Sequence, residues 1–163
     1  MTTPFLDSYG GQTTEELLGL EGRYRIDSLV LAFEQAIQQK AQPSTDESYI
    51  LAVEGLEREV NNGGFSQFFL NSSGGFAPII ERALRAIGCP RTADIARDAV
   101  TALGIDGALS AEAVSNAVSA DDSEIERKLG ECDDRYFAND EPIADRLFEW
   151  IKAHTATIRV GDR

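Results

Sequence analysis

Acidic side chains are the residues whose number and spacing offer chemistry in this sequence. Among 163 residues there are 28 Asp or Glu against 15 Lys or Arg, a formal charge of −13. Glu141, Asp145 and Glu149 stand four apart. On a helix, that spacing lays carboxylates roughly 6 Å apart along one face. The face lies opposite an apolar stripe of Ile143, Leu147 and Trp150, so it is expected to meet water, with Lys152 diluting it. A denser cluster holds Asp121, Asp122, Glu124, Glu126, Glu131, Asp133 and Asp134, interleaved with Arg127, Lys128 and Arg135. A third group is Asp46, Glu47, Glu54 and Glu57, beside Arg58. Interleaved signs are the pattern of a solvated helix laced with ion pairs, and each cluster taken singly admits that reading. Like charges at four-residue spacing cost a few tenths of a kcal/mol each, a cost that a basic partner would offset.

The charge is unevenly distributed. Residues 1–60 carry 4 bases and 11 acids (−7), residues 61–110 carry 4 and 4 (0), and residues 111–163 carry 7 and 13 (−6). Such a field repels nucleic-acid phosphate and anionic membrane and attracts basic protein surfaces. Direct nucleic-acid binding is therefore not expected, although an acidic surface also serves plain solubility. The two cysteines, Cys89 and Cys132, form no C-x-x-C and point to a reducing compartment. The start MTTPFLDSYGGQ has no basic and apolar leader pattern, and no apolar run approaches the roughly 20 residues of a membrane span. A cytoplasmic protein is the expectation.

Catalytic constellations are sparse. His154 is the single histidine, with neither H-E-x-x-H nor E-x-x-H around it, and no G-x-S-x-G occurs. His154 reads as a helix C-terminal residue favoured by the dipole there. Asp133 and Asp134 are adjacent, so on a helix they point apart. No enzyme activity, metal or cofactor is expected.

Helical spacing dominates the elements that must position these groups, and no alternating strand pattern appears. Thr13-x-x-Glu16 is a capping box for a short first helix. A stripe of Tyr24, Ile26, Leu29, Val30, Phe33 and Ile37 predicts a second helix over 23–40. Ser44-x-x-Glu47 caps a third, with Tyr49, Ile50, Val53, Leu56 and Val60 inward. Phe65, Phe68, Phe69 and Leu70 predict a short buried helix, residues 76–87 another, and Pro90 opens one that ends at Gly104. A short helix near 110–119 follows. Ser123-x-x-Glu126 opens a helix carrying Ile125, Leu129, Cys132 and Tyr136, and Asp140 with Pro142 starts the last. The expectation is all-α, a single compact domain over 1–163 of eight to nine helices, with residues 1–12 loosely ordered.

Residues 57–69 read EREVNNGGFSQFF. Asn62 and Gly63 sit where the third apolar stripe runs out, where a left-handed Gly or Asn ends a helix. Gly64 would then enter the next helix. Glu59, Asn61, Asn62 and Gln67 are placed to hydrogen-bond free backbone groups at such a corner. Free N–H groups ahead of Phe65 would also suit an anion, but no Lys accompanies the glycines as a phosphate loop requires.

The stretch Glu59-Val60-Asn61-Asn62-Gly63-Gly64-Phe65-x-Gln67-Phe68-Phe69-x-Asn71, followed by Ser72, Ser73 and Gly74, resembles the signature of a bacterial family first catalogued as a domain of unknown function. That family includes a DNA-mimic protein. ALRAIG (83–88) and DDRYF…EWIKAH (133–154) resemble its flanks, and the likeness covers about 20–155. The resemblance implies an all-helical homodimer whose acidic surface imitates duplex DNA and occupies a basic DNA-binding protein, a transcription regulator or nucleoid protein. It implies that the motif over 59–68 marks the scaffold. The mimic surface would be drawn from Glu141, Asp145, Glu149, Asp121, Asp122, Glu124, Asp133 and Asp134. Two alternatives stand beside it: an acidic or immunity-type module for another basic protein, and a small-ligand binder or enzyme at the Asn-Gly corner.

Overall fold

A computed structural model describes residues 2–161. Its helices, in sequence order, are α1 (Thr14–Leu18), α2 (Ile26–Gln38), α3 (Thr45–Leu70), a 3-10 turn (Ser72–Phe76), α4 (Ile80–Ala86), α5 (Pro90–Ala102), α6 (Ala111–Ser119), α7 (Ser123–Ala138) and α8 (Ile143–Lys152). The described residues contain no strand, only an isolated bridge between Glu21 and Tyr24. The all-α class and the helix count match the sequence expectation. The fold gathers into two compact units, one of Met1–Glu54 with Pro142–Arg163 and one of Gly55–Glu141.

In the first unit α2 packs on α8 and on α1. Leu29, Phe33, Ile37, Ile50, Leu147 and Ile151 are fully removed from water. Two of the three predicted Ser/Thr-x-x-Glu starts form capping boxes. Thr13 Oγ1 accepts from Glu16 N while Glu16 returns a bond to Thr13 N, and Ser44 and Glu47 do the same for α3. Glu47 goes further. Its buried carboxylate also accepts from Lys40 Nζ at 2.7 Å and from Arg159 N at 2.9 Å, fastening the C-terminal segment. Burial pushes the Glu47 carboxyl up, but the Lys40 ammonium and the Ser44 and Arg159 N–H groups outweigh it and hold it below the usual range.

Residues 2–12 form no helix, yet they are not loose. Leu6 N donates to Ser28 Oγ, Tyr9 N to Gln35 Oε1, and Arg25 N to Pro4 O, so the segment is laced onto α2. Met1 lies outside the described residues.

In the second unit α5 packs against α4 and α7, and the 3-10 turn against α6. Phe65, Phe68, Phe69, Ile80, Leu84, Ala96 and Leu129 form its dry interior. At α7 the cap is Asp122, which accepts from Glu124 N and Ile125 N, one residue before the predicted Ser123. Aspartate caps as well as serine does, and its charge adds a favourable interaction with the helix N-terminus. No helix of the described residues is long and apolar enough to cross a membrane.

Candidate functional site

Helix α3 is broken where the sequence predicts a corner, though at a different residue. Val60, Asn61 and Asn62 stay helical, Gly63 turns to φ −156°, ψ 18°, and Gly64 takes φ 77°, ψ −176°. The left-handed residue is therefore Gly64, not Asn62 or Gly63. That combination of angles is open essentially to glycine alone. A second constraint applies at Gly64, since a Cβ there would lie 2.4 Å from Asp133 Oδ2.

The break leaves Phe65 at the start of a new helical run with its N–H unpaired within the helix. Asp133, 68 residues away on α7, accepts that N–H at 2.8 Å. Burial pushes the Asp133 carboxyl up, the Phe65 N–H pulls it down, and the Asp134 charge adds to the rise; the net is upward. Glu59 closes the other side, accepting from Gln67 Nε2 at 2.5 Å and Asn71 Nδ2 at 3.0 Å. Asn61 Nδ2 donates to Glu57 O, and Tyr136 Oη donates to Glu57 Oε2. Phe65 meets Tyr136 edge-on, ring centroids 6.0 Å apart, and Phe68 meets Phe69 in the same way at 5.4 Å. Each of these bonds ties the corner to its own residues or to α7. The arrangement holds a bend in a helix.

The expected ladder of Glu141, Asp145 and Glu149 does not form. Helix α8 starts at Ile143, so Glu141 lies outside it, and its side chain is only 2% exposed. Instead Glu141 caps α5: it accepts from Thr92 N at 2.7 Å, Thr92 Oγ1 at 2.6 Å and Arg91 N at 3.2 Å. Cys89, at the N-cap position, makes no capping bond with its side chain. Burial raises the Glu141 carboxyl, and the bonds from Thr92 and Arg91 more than reverse that, leaving it lowered. Glu149 faces water but is paired with Lys152, which also holds Glu21. Only Asp145 of the three is exposed with no ion pair to a described residue.

The α7 cluster divides. Arg127 lies between Glu124 and Glu131 and pairs with both, and its guanidinium holds the Glu124 carboxyl below its usual range. Asp133 turns inward to Phe65. Asp121, Asp122, Glu126 and Asp134 are exposed and make no ion pair with a described residue, as do Glu112 on α6 and Asp106 ahead of it. From Asp122 to Asp134 these groups span about 18 Å of helix axis. Asp121 holds the turn between α6 and α7 at φ 53°, a conformation aspartate tolerates better than most residues. No group of three or more His, Cys, Asp or Glu suited to a metal occurs among the described residues.

Residues 41–154, most of the sequence, match the DMP19-like protein family. The protein belongs to that family. The match takes in the broken helix and the α7 carboxylates alike, so both lie within the DMP19-like region. Comparison with curated proteins and with solved structures gives no match.

Sequence reasoning did not find Asp133 and Glu141 as helix caps, because each serves a helix far from it in sequence. Phe137, 57% exposed, also carried no signal, since one outward aromatic does not disturb the α7 stripe. His154 stands where expected, just past α8, with Nδ1 2.7 Å from Trp150 O and its ring stacked on Trp150. Cys132 and Cys89 are buried and in no disulfide, and burial first of all pushes the Cys132 thiol up, away from reactivity.

Proposed function

We propose that this DMP19-like protein is an acidic decoy. It would bind a basic DNA-binding protein, a transcription regulator or nucleoid protein, through the outward carboxylates around α7 and so keep that protein from duplex DNA. The observation that carries the reading is the set Asp121, Asp122, Glu126 and Asp134, exposed and without an ion pair to a described residue, in a sequence of net charge −13. Unneutralised carboxylates on a rigid helix attract a basic groove at long range and cost it little reorganisation. Family membership supports the reading, since the resembling bacterial family includes a DNA mimic. A homodimer in the cytoplasm is the form proposed, because two-fold symmetry would double the acidic row. The reading assigns no catalytic step.

Arg127 supports a second reading. It interrupts the row by neutralising Glu124 and Glu131. An acidic module for a basic protein that does not follow duplex geometry tolerates that interruption better than a duplex imitation does.

The test uses a purified nucleoid protein bound to a labelled duplex, titrated with this protein at salt between about 50 and 200 mM. Release of the duplex that weakens with salt supports the decoy. Binding without release of DNA favours the second reading, and no binding at low salt to a panel of basic DNA-binding proteins overturns both.

A further inference from the structure

Asn62 is the one asparagine of the sequence followed by glycine. It is exposed, and its backbone is still helical. Unlike the neighbouring Asn61, whose amide donates to Glu57, Asn62 has a side chain held by no described residue. Glycine has no Cβ to hinder approach to its nitrogen. Asn-Gly is therefore the pair in which a backbone amide most readily attacks the preceding side chain. We propose that Asn62–Gly63 is a deamidation site gated by the corner.

The step balances without any outside redox partner. Gly63 N, losing its proton, bonds to Asn62 Cγ; the Cγ–Nδ2 bond breaks and the nitrogen leaves as ammonia, closing a five-membered succinimide. Water then opens the ring at either carbonyl. Cleavage of the Cγ–N bond gives aspartate at position 62, and cleavage of the backbone C–N bond gives isoaspartate, with the backbone rerouted through Cγ.

Helical angles at Asn62 direct the Gly63 N–H back along the helix toward the carbonyls of the preceding turn and away from the Asn62 side chain. Attack needs the backbone between Asn62 and Gly63 to rotate out of the helix. The residues that hold it there are the corner's own ties: Glu59 to Gln67 and Asn71, and Asp133 to Phe65 N. When opening is fast relative to the chemistry, the rate follows the population of the open form. The products matter to the site. Aspartate adds a charge two residues before Gly64, and isoaspartate inserts an extra backbone carbon immediately before the break, shifting Gln67 off Glu59. The inference is independent of the decoy reading.

The full-length protein is aged at mildly alkaline pH, and the peptide containing Asn62 is followed by mass for replacement of NH by O. Three samples are compared: the folded protein, the protein unfolded in urea, and Gln67→Ala, with Asn71→Ala in reserve should Gln67→Ala fail to fold. Loss of a bond to a charged acceptor predicts reaction roughly ten-fold faster in the variant than in the folded parent, and fastest in urea. Asn62→Gln removes the product in all samples. Equal rates in folded and urea-treated protein, or a variant no faster than its parent, overturn the gate. An unreactive Asn62 in urea overturns the site itself.

Discussion

Asp133 and Asp134 are neighbours on α7 with opposite surroundings. Asp133 points into the unit, accepts the Phe65 N–H and fills the space that the missing Gly64 side chain leaves. Asp134 is exposed and makes no ion pair with a described residue. The contrast extends to their regions. Around the broken helix, carboxylates are internal fasteners: Glu59 binds two amides, Asp133 caps a helical run, and Glu141 does the same for α5. Around the start of α7, Asp121, Asp122 and Glu126 face out and make no ion pair with a described residue. Charge density in a sequence therefore does not locate an acidic surface, because a carboxylate is also a versatile acceptor for stray backbone N–H groups.

The comparison breaks most visibly at the corner. Gly64→Ala forces a side chain into glycine-only angles and against Asp133, and is expected to cost about 3 kcal/mol or more, read as a lower urea midpoint. Next comes Glu141→Ala, which strips α5 of its cap and leaves the Thr92 donors unmatched, for a loss of about 2 kcal/mol by the same measurement. Acid separates the fasteners by sign. Glu47 and Glu141 have lowered folded values, so their stabilisation is complete above the usual glutamate range and is lost as pH falls through those lowered values. Asp133 is raised, so its contribution is present at low pH and is lost as pH rises through its folded value. Glu141→Gln should flatten the acid limb of a stability–pH curve, and Asp133→Asn should steepen it. The smallest effect is at the α6–α7 turn, where Asp121→Gly relieves a positive φ and should raise stability by about 0.5 kcal/mol.

Much of the fold was legible because it is written locally. Both capping boxes, the α7 stripe through Leu129, Cys132 and Tyr136, and the break near Gly63 follow from residues a few positions apart. What was not legible depends on distant partners. The spacing of Glu141, Asp145 and Glu149 suits a helix face, yet α8 begins only at Ile143, and the α5 N-terminus draws Glu141 inward. In the same way nothing near Asp133 announces Phe65, and nothing near Gly64 announces the carboxylate that excludes a Cβ. The start of the sequence reads as loosely ordered because its ties to Ser28 and Gln35 reach more than 20 residues along the sequence.

Two variants measured side by side test the division most directly. One is Gln67→Ala, which cuts the Glu59 tie; the other combines Asp121→Asn, Asp122→Asn, Glu126→Gln and Asp134→Asn, keeping an N-cap at 122. Each is assayed for urea midpoint and for displacement of duplex from a nucleoid protein. The account predicts a crossover: Gln67→Ala melts early and still displaces DNA, whereas the neutralised protein melts within about 0.5 kcal/mol of its parent and no longer does. Displacement lost with Gln67→Ala under folded conditions, and kept by the neutralised protein, would contradict it.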